Sequence, residues 1–170
     1  DFLLKNWEGL GYYSRARNLK KAAIVIMEQY DGRMPDTWEL LQNLPGIGSY
    51  TAGAIASIAY GRCVPAVDGN VLRVLSRLRM DDAFITQQAV KKRVEEELLA
   101  VMPKDRPGDF NQALMELGAT VCIPNGEPRC GECPWKELCR ARANGCTDAY
   151  PKKEKKKGRN LCSHSLMKRL

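Results

Sequence analysis

Apolar residues recur three and four positions apart along most of the chain, the spacing of one buried helix face. Leu19, Ala22, Ala23, Ile26 and Met27 form the first such stripe, and Asp31-Gly32 ends it. Thr37 opens a short helix that must stop before Pro45. Ser49 is placed to cap the next, which runs through Ala52, Ala56 and Ala59 to Gly61. Asp68-Gly69-Asn70 leads into a helix with Val71, Leu72, Leu75 and Leu78 on one side. Thr86 opens another, with Val90, Val94, Leu98 and Val101 in register. Asp109 is expected to cap a third, carrying Phe110, Ala113, Leu114 and Leu117. No alternating strand pattern of comparable quality is present, so the expected class is all-α. From about Cys122 the chain turns loop-rich, and residues 152–170 read as a basic, disordered tail. The opening Asp1–Trp7 reads as the middle of an amphipathic helix, so the chain is expected to be a fragment.

Charge narrows the partners. In 170 residues, 27 Lys and Arg face 20 acidic residues, a formal charge of +7. Such a balance favours nucleic acid or another anionic surface, although part of the excess lies in the run Lys152–Lys157. No apolar run approaches the roughly 20 residues that cross a bilayer. The one His, His164, lies near the end, which argues against chemistry by a buried imidazole. Seven Cys without a secretory signal point to metal ligation rather than disulfides.

Three constellations carry candidate chemistry. In Leu44-Pro45-Gly46-Ile47-Gly48, two Gly around one apolar residue permit a tight turn, with Ile47 packed inward. The turn aims backbone N–H groups outward at a helix N-terminus, a phosphate site by dipole and donors together. An ordinary helix–helix turn has the same composition. Asp68 reads as an N-cap, and a cap is held rigidly enough to serve as a fixed carboxylate beside a sugar. Cys122, Cys130, Cys133 and Cys139 are separated by seven, two and five residues. Four thiols this close suit zinc or a cubane iron–sulfur cluster. Cys63, Cys146 and Cys162 fall outside the pattern and read as free thiols. Arg129, Lys136, Arg140 and Arg142 in that loop are placed to meet phosphate.

The hairpin with Asp68 resembles the helix-hairpin-helix DNA glycosylases of the endonuclease III superfamily. The match is closest to adenine DNA glycosylases of the MutY type. It is carried by Trp7–Leu19 (WEGLGYYSRARNL), Gly48–Ile55 (GSYTAGAI), Val67–Val71 (VDGNV) and Phe110–Ala119 (FNQALMELGA). The resemblance covers residues 1–151. It implies a glycosylase region over 1–121 and a [4Fe–4S] loop over 122–151, held by Cys122, Cys130, Cys133 and Cys139. The first gap is one residue longer than the family's usual spacing. Asp68 is implied as the catalytic carboxylate that stabilises an oxocarbenium ion, with Asn70 holding it. Tyr50 stands where lyases of the superfamily carry a nucleophilic Lys, so a monofunctional enzyme is implied. Tyr12 is implied to wedge into the base stack and Gln112 to read the flipped adenine. Gly46, Ile47, Gly48 and Ser49 are implied to hold DNA, with Arg15 and Arg17 as phosphate contacts.

The implied partner is double-stranded DNA with adenine opposite 8-oxoguanine or guanine, bound by a monomer in a bacterial cytoplasm, at the nucleoid and away from membranes. The family's general acid, a Glu, would lie before Asp1, and its 8-oxoguanine-recognition domain would follow Lys157. Excision by the fragment is therefore expected to be impaired. The alternatives are an endonuclease III-like lyase, a mismatch thymine glycosylase and a non-catalytic DNA-binding iron–sulfur module.

Overall fold

The computed structural model describes residues 2–152. The expected tail, with Cys162 and His164, lies outside the described residues apart from Lys152. Eight α-helices follow one another: α1 (Phe2–Asn6), α2 (Tyr13–Gln29), α3 (Trp38–Gln42), α4 (Ser49–Tyr60), α5 (Gly69–Arg79), α6 (Gln88–Val101), α7 (Pro107–Glu116) and α8 (Arg140–Ala143). A π-helical turn, Leu117–Val121, extends α7, and two 3₁₀ turns, Cys130–Glu132 and Thr147–Ala149, flank α8. No strand occurs among the described residues, as the periodicity predicts.

The helices bury two apolar clusters. Ala22, Leu41, Leu44, Ala52 and Ala56 join α2, α3 and α4, with Ile47 packed against them. Val67, Val71, Leu72, Leu75, Val94, Leu98 and Leu114 join α5, α6 and α7. Asn111 links the two. It is fully buried, and its carboxamide oxygen accepts from Ala66 N–H at 3.0 Å. Its Nδ2 donates to Ser57 Oγ at 2.8 Å and to the Val64 carbonyl at 2.9 Å. A buried amide with each of these groups satisfied fixes the extended segment before Asp68 against α4 and α7.

Four local expectations need correction. Ser49 is the first residue of α4; Gly48 is its N-cap and supplies no side-chain bond. Asp109 lies inside the first turn of α7, whose N-cap is Arg106, and the two side chains pair at 2.7 Å. A carboxylate there opposes the positive end of the helix dipole without capping it. α6 starts at Gln88, and Val101 is 68 % exposed while Met102 is buried, because the helix ends between them. On α2, Leu19, Ala23 and Met27 face out, and Ala16 and Ala22 are the buried residues. Residues 22–27 are apolar on nearly every side of the helix, so their period does not say which side is inward.

Candidate nucleic-acid interface and active site

The hairpin joins α3 to α4. Ile47 N–H donates to the Leu44 carbonyl at 3.1 Å, closing the turn. Gly46 has φ +83°, and a Cβ there would lie 2.7 Å from the Asn18 side chain, so only glycine fits. Trp38 Nε1 donates to the Ser49 carbonyl at 3.1 Å and braces the turn from α3. The first helical bond of α4 runs from Ala52 N–H to the Gly48 carbonyl. Among the described residues, the N–H groups of Gly48, Ser49, Tyr50 and Thr51 donate to no acceptor. They form an uncapped N-terminus of the kind that receives an anion.

Lys91 of α6, which the sequence reading missed, reaches the same place. Its Nζ lies 2.6 Å from Ser49 Oγ, and its side chain is largely covered. An ammonium at a helix N-terminus has the wrong sign for the dipole. Glu95, one turn along α6, lies 3.8 Å from it. Sequence could not flag Lys91, since its neighbour Lys92 is a plain surface lysine paired with Glu96 at 3.9 Å.

Asp68 caps α5. One carboxylate oxygen accepts from Val71 N–H at 2.9 Å, and the other accepts from Asn70 Nδ2 at 2.8 Å. Asn70 is thus the partner the sequence led us to expect. The Asn70 carboxamide oxygen accepts in turn from Arg73 Nη2 at 2.8 Å. Tyr50 sits close enough that the Asp68 charge, after burial, raises its phenol above the ordinary value of about 10.0. Its hydroxyl donates to Met115 Sδ at 3.2 Å, tying α4 to α7. Tyr50 is therefore a neutral donor at physiological pH. Tyr50 lies in the first turn of α4, directly after the hairpin, and feels the Asp68 charge there.

The remaining expected residues divide. Tyr12 is 82 % exposed at the start of α2. Arg15 stacks on the Trp7 ring at 5.4 Å, and Arg17 is exposed. Gln112 is exposed on α7, with only a 3.5 Å approach to the carbonyl of Gly108. Arg129, Lys136, Arg140 and Arg142 are all exposed on the cysteine loop.

Cys122, Cys130, Cys133 and Cys139 are unpaired thiols that line one cavity, with Val74, Arg77, Leu78 and Trp135 around them. Burial pushes the Cys130 thiol up, and its three neighbours push it further, while Arg77 opposes them. No three His, Cys, Asp or Glu side chains among the described residues sit at the spacing of a single metal ion. Four cysteine thiols beside one cavity are a donor set that fits a metal centre, with Arg77 as a basic neighbour. Cys63 and Cys146 are free, as read from sequence.

Two buried arginines, also missed, join this loop to α5. Arg73 donates to the carbonyls of Gly118 and Cys122, each at 2.8 Å. Arg77 donates to the carbonyls of Ile123 (2.9 Å), Thr147 (2.9 Å) and Tyr150 (3.0 Å), and approaches Cys122 Sγ at 3.3 Å. Gly118 permits the approach, since a Cβ there would lie 2.5 Å from that of Asn70. The signal was present in part: Arg73 and Arg77 are one turn apart on a helix otherwise rich in Val and Leu.

A family description now applies. The model of the HhH-GPD superfamily of base excision DNA repair proteins matches residues 1–100, and the chain belongs to that superfamily. Among curated relatives, it is 53 % identical over 137 residues to an adenine DNA glycosylase of Homo sapiens, covering 80 % of this chain and 25 % of that protein. It is 38 % identical over 157 residues to an adenine DNA glycosylase of Buchnera aphidicola subsp. Acyrthosiphon pisum, covering 92 % and 45 %. The chain thus spans between a quarter and a half of these relatives, which come from eukaryotes and bacteria alike. Among solved structures, an endonuclease III in a non-covalent complex with DNA superposes with TM-score 0.70 at 31 % identity, over 85 % of this chain and 65 % of that one. A thermostable thymine-DNA glycosylase also gives 0.70, at 29 % identity over 84 % and 65 %. Among the described residues, no helix is long and apolar enough to cross a membrane.

Proposed function

We propose that this chain is the DNA-gripping and carboxylate-bearing part of a monofunctional adenine DNA glycosylase. It acts on adenine opposite 8-oxoguanine or guanine in duplex DNA, at the bacterial nucleoid. The observation that carries this reading is the Asp68 carboxylate, held by Val71 N–H and Asn70 beside the uncapped hairpin and the Tyr50 phenol. A phosphate held by the hairpin brings the adjacent nucleotide to Asp68. The glycosidic C–N bond breaks, the bonding electrons leave with the adenine, and the carboxylate stabilises the positive charge left on the sugar. Water then adds to that carbon and gives up a proton, which balances the proton that the departing adenine takes up at nitrogen. Tyr50 has no amine, so no Schiff base forms and the strand is left intact. Gln112 on α7 is the group that meets an edge of the extruded adenine.

Cys122, Cys130, Cys133 and Cys139 would hold a [4Fe–4S] cluster. The reading rests on four thiols lining one cavity beside Arg77. When bound, the cluster supplies a covalent crosslink of the loop and a charge partner for Arg77. Visible absorption of the purified protein distinguishes iron from zinc.

Excision is tested under single turnover on duplexes with adenine opposite 8-oxoguanine. Release of adenine without a borohydride-trapped adduct is the expected result. A trapped adduct would establish the lyase instead, and preferential loss of thymine from a mismatch would establish the thymine enzyme.

Lys91 extends the phosphate site. Lys91→Ala should weaken duplex binding on all sequences alike and lower the slope of log affinity against log salt by about one. Lys92→Ala, one residue along the same helix, should leave that slope unchanged. Equal slopes for both variants would remove Lys91 from the interface.

A further inference from the structure

We propose that Trp7 is a positioning residue for Tyr12, holding the loop that presents the phenol ring to DNA. The inference rests on the reading of Tyr12 as the group that enters the base stack.

The loop between α1 and α2 is strained at its exposed end. Gly9, Gly11 and Tyr12 have φ of +83°, +63° and +44°. Glycine adopts such angles freely, but a bulky aromatic residue does so rarely. Tyr12 gains nothing back through its own packing, because its ring is 82 % exposed. Something else must hold the backbone there.

Trp7 is placed to do so. Its indole Nε1 donates to the carbonyl of Gly11, the residue before Tyr12, at 3.0 Å. Its own carbonyl accepts from Leu10 N–H at 3.2 Å, so the residue grips the loop at two points. Its backbone N–H bonds back to Leu3 and Leu4, anchoring it to α1. From the other side, Arg15 lays its guanidinium over the half-buried Trp7 ring, and Arg15 N–H bonds to the Tyr12 carbonyl. The loop is thus closed onto Trp7 from both flanks while the Tyr12 ring points away from it. Arg15, expected from sequence as a phosphate contact, has a role inside this clamp.

The test is a double-mutant cycle. The quantity read is the affinity for a duplex carrying adenine opposite 8-oxoguanine, divided by that for a matched duplex. Tyr12→Ala should lower this ratio roughly tenfold, the worth of one stacked base. Trp7→Phe keeps the ring under Arg15 and loses the N–H, and should lose most of the same factor. In the Tyr12→Ala background, Trp7→Phe should cost nothing more. Trp7→His, which can restore a ring N–H, should recover part of the loss. All variants are compared at a temperature below the melting transition of each. An unchanged ratio in Trp7→Phe, with Tyr12→Ala impaired, overturns the proposal. So does an equal loss with and without Tyr12, because Trp7 would then be supporting the fold alone. A Tyr12→Ala protein that discriminates normally removes the wedge reading itself, and the proposal with it.

Discussion

Asp68→Asn should reduce adenine excision by at least about a hundredfold to a thousandfold, the range for removing a single preorganised charge-stabilising group. Duplex affinity should stay near that of the unaltered protein. The substitution is chosen because it separates the two roles of the residue. Asn is as good an N-cap as Asp, and its oxygen can still accept from Val71 N–H at the start of α5. The bond from Asn70 Nδ2, which uses the other oxygen, is lost because the new amide NH2 cannot accept, a local loss that leaves the cap in place. What disappears is the negative charge facing the sugar. Single-turnover excision and a binding isotherm on the same mismatched duplex read the two effects. An Asp68→Asn variant that excises at the original rate would reduce Asp68 to a cap, leaving a DNA-binding module.

Arg77→Leu should be the most destabilising single change in the cysteine lobe. Arg77 is 5 % exposed and supplies donors to the carbonyls of Ile123, Thr147 and Tyr150. A leucine fills part of the volume but satisfies none of these acceptors. Each buried carbonyl left without a partner costs about 1–3 kcal/mol, so a loss of at least about 3 kcal/mol is expected. In a domain of this size that corresponds to a fall of roughly 10 °C in melting temperature. The cysteine loop loosens first, because the Arg77 guanidinium also reaches Cys122 Sγ at 3.3 Å. Melting followed by circular dichroism, with visible absorption from the proposed cluster recorded in parallel, checks both parts. A protein that melts unchanged with its colour intact would show that water satisfies those carbonyls.

The two predictions meet at α5. Its first residue follows Asp68, its second is Asn70, and Arg73 and Arg77 follow on the side facing the loop. A bonded path therefore runs from the candidate catalytic carboxylate through Asn70 and Arg73 to the carbonyl of Cys122.

How much of this was legible beforehand follows from the range of each interaction. The hairpin turn and the Asp68 cap lie within short stretches whose chemistry is local, so they could be read directly, whereas the part of Asn70 came only from the resemblance. The four cysteines could be read from spacing, because ligation itself requires closeness. Arg73 and Arg77 could not, since their acceptors lie more than forty residues away and are backbone carbonyls that any residue supplies. Lys91 escaped for the same reason: Ser49 lies 42 residues before it. The buried side of α2 was misjudged because its apolar residues surround the helix, and only the neighbouring α3 and α4 decide which of them are covered.

The hairpin's free N–H groups have a thermodynamic consequence. Gly48 has φ −93°, and no atom lies within 4 Å of where a Cβ would stand, so neither backbone nor packing demands glycine there. A side chain that capped α4 would be tolerated, yet the helix is left open. Whatever anion completes α4 binds the folded state and not the unfolded chain. The stability of the protein is therefore linked to occupancy of that site and rises as RT ln(1 + [L]/Kd) with the free ligand. Free protein and DNA-bound protein are two points on one stability curve, and the uncapped helix is what couples them.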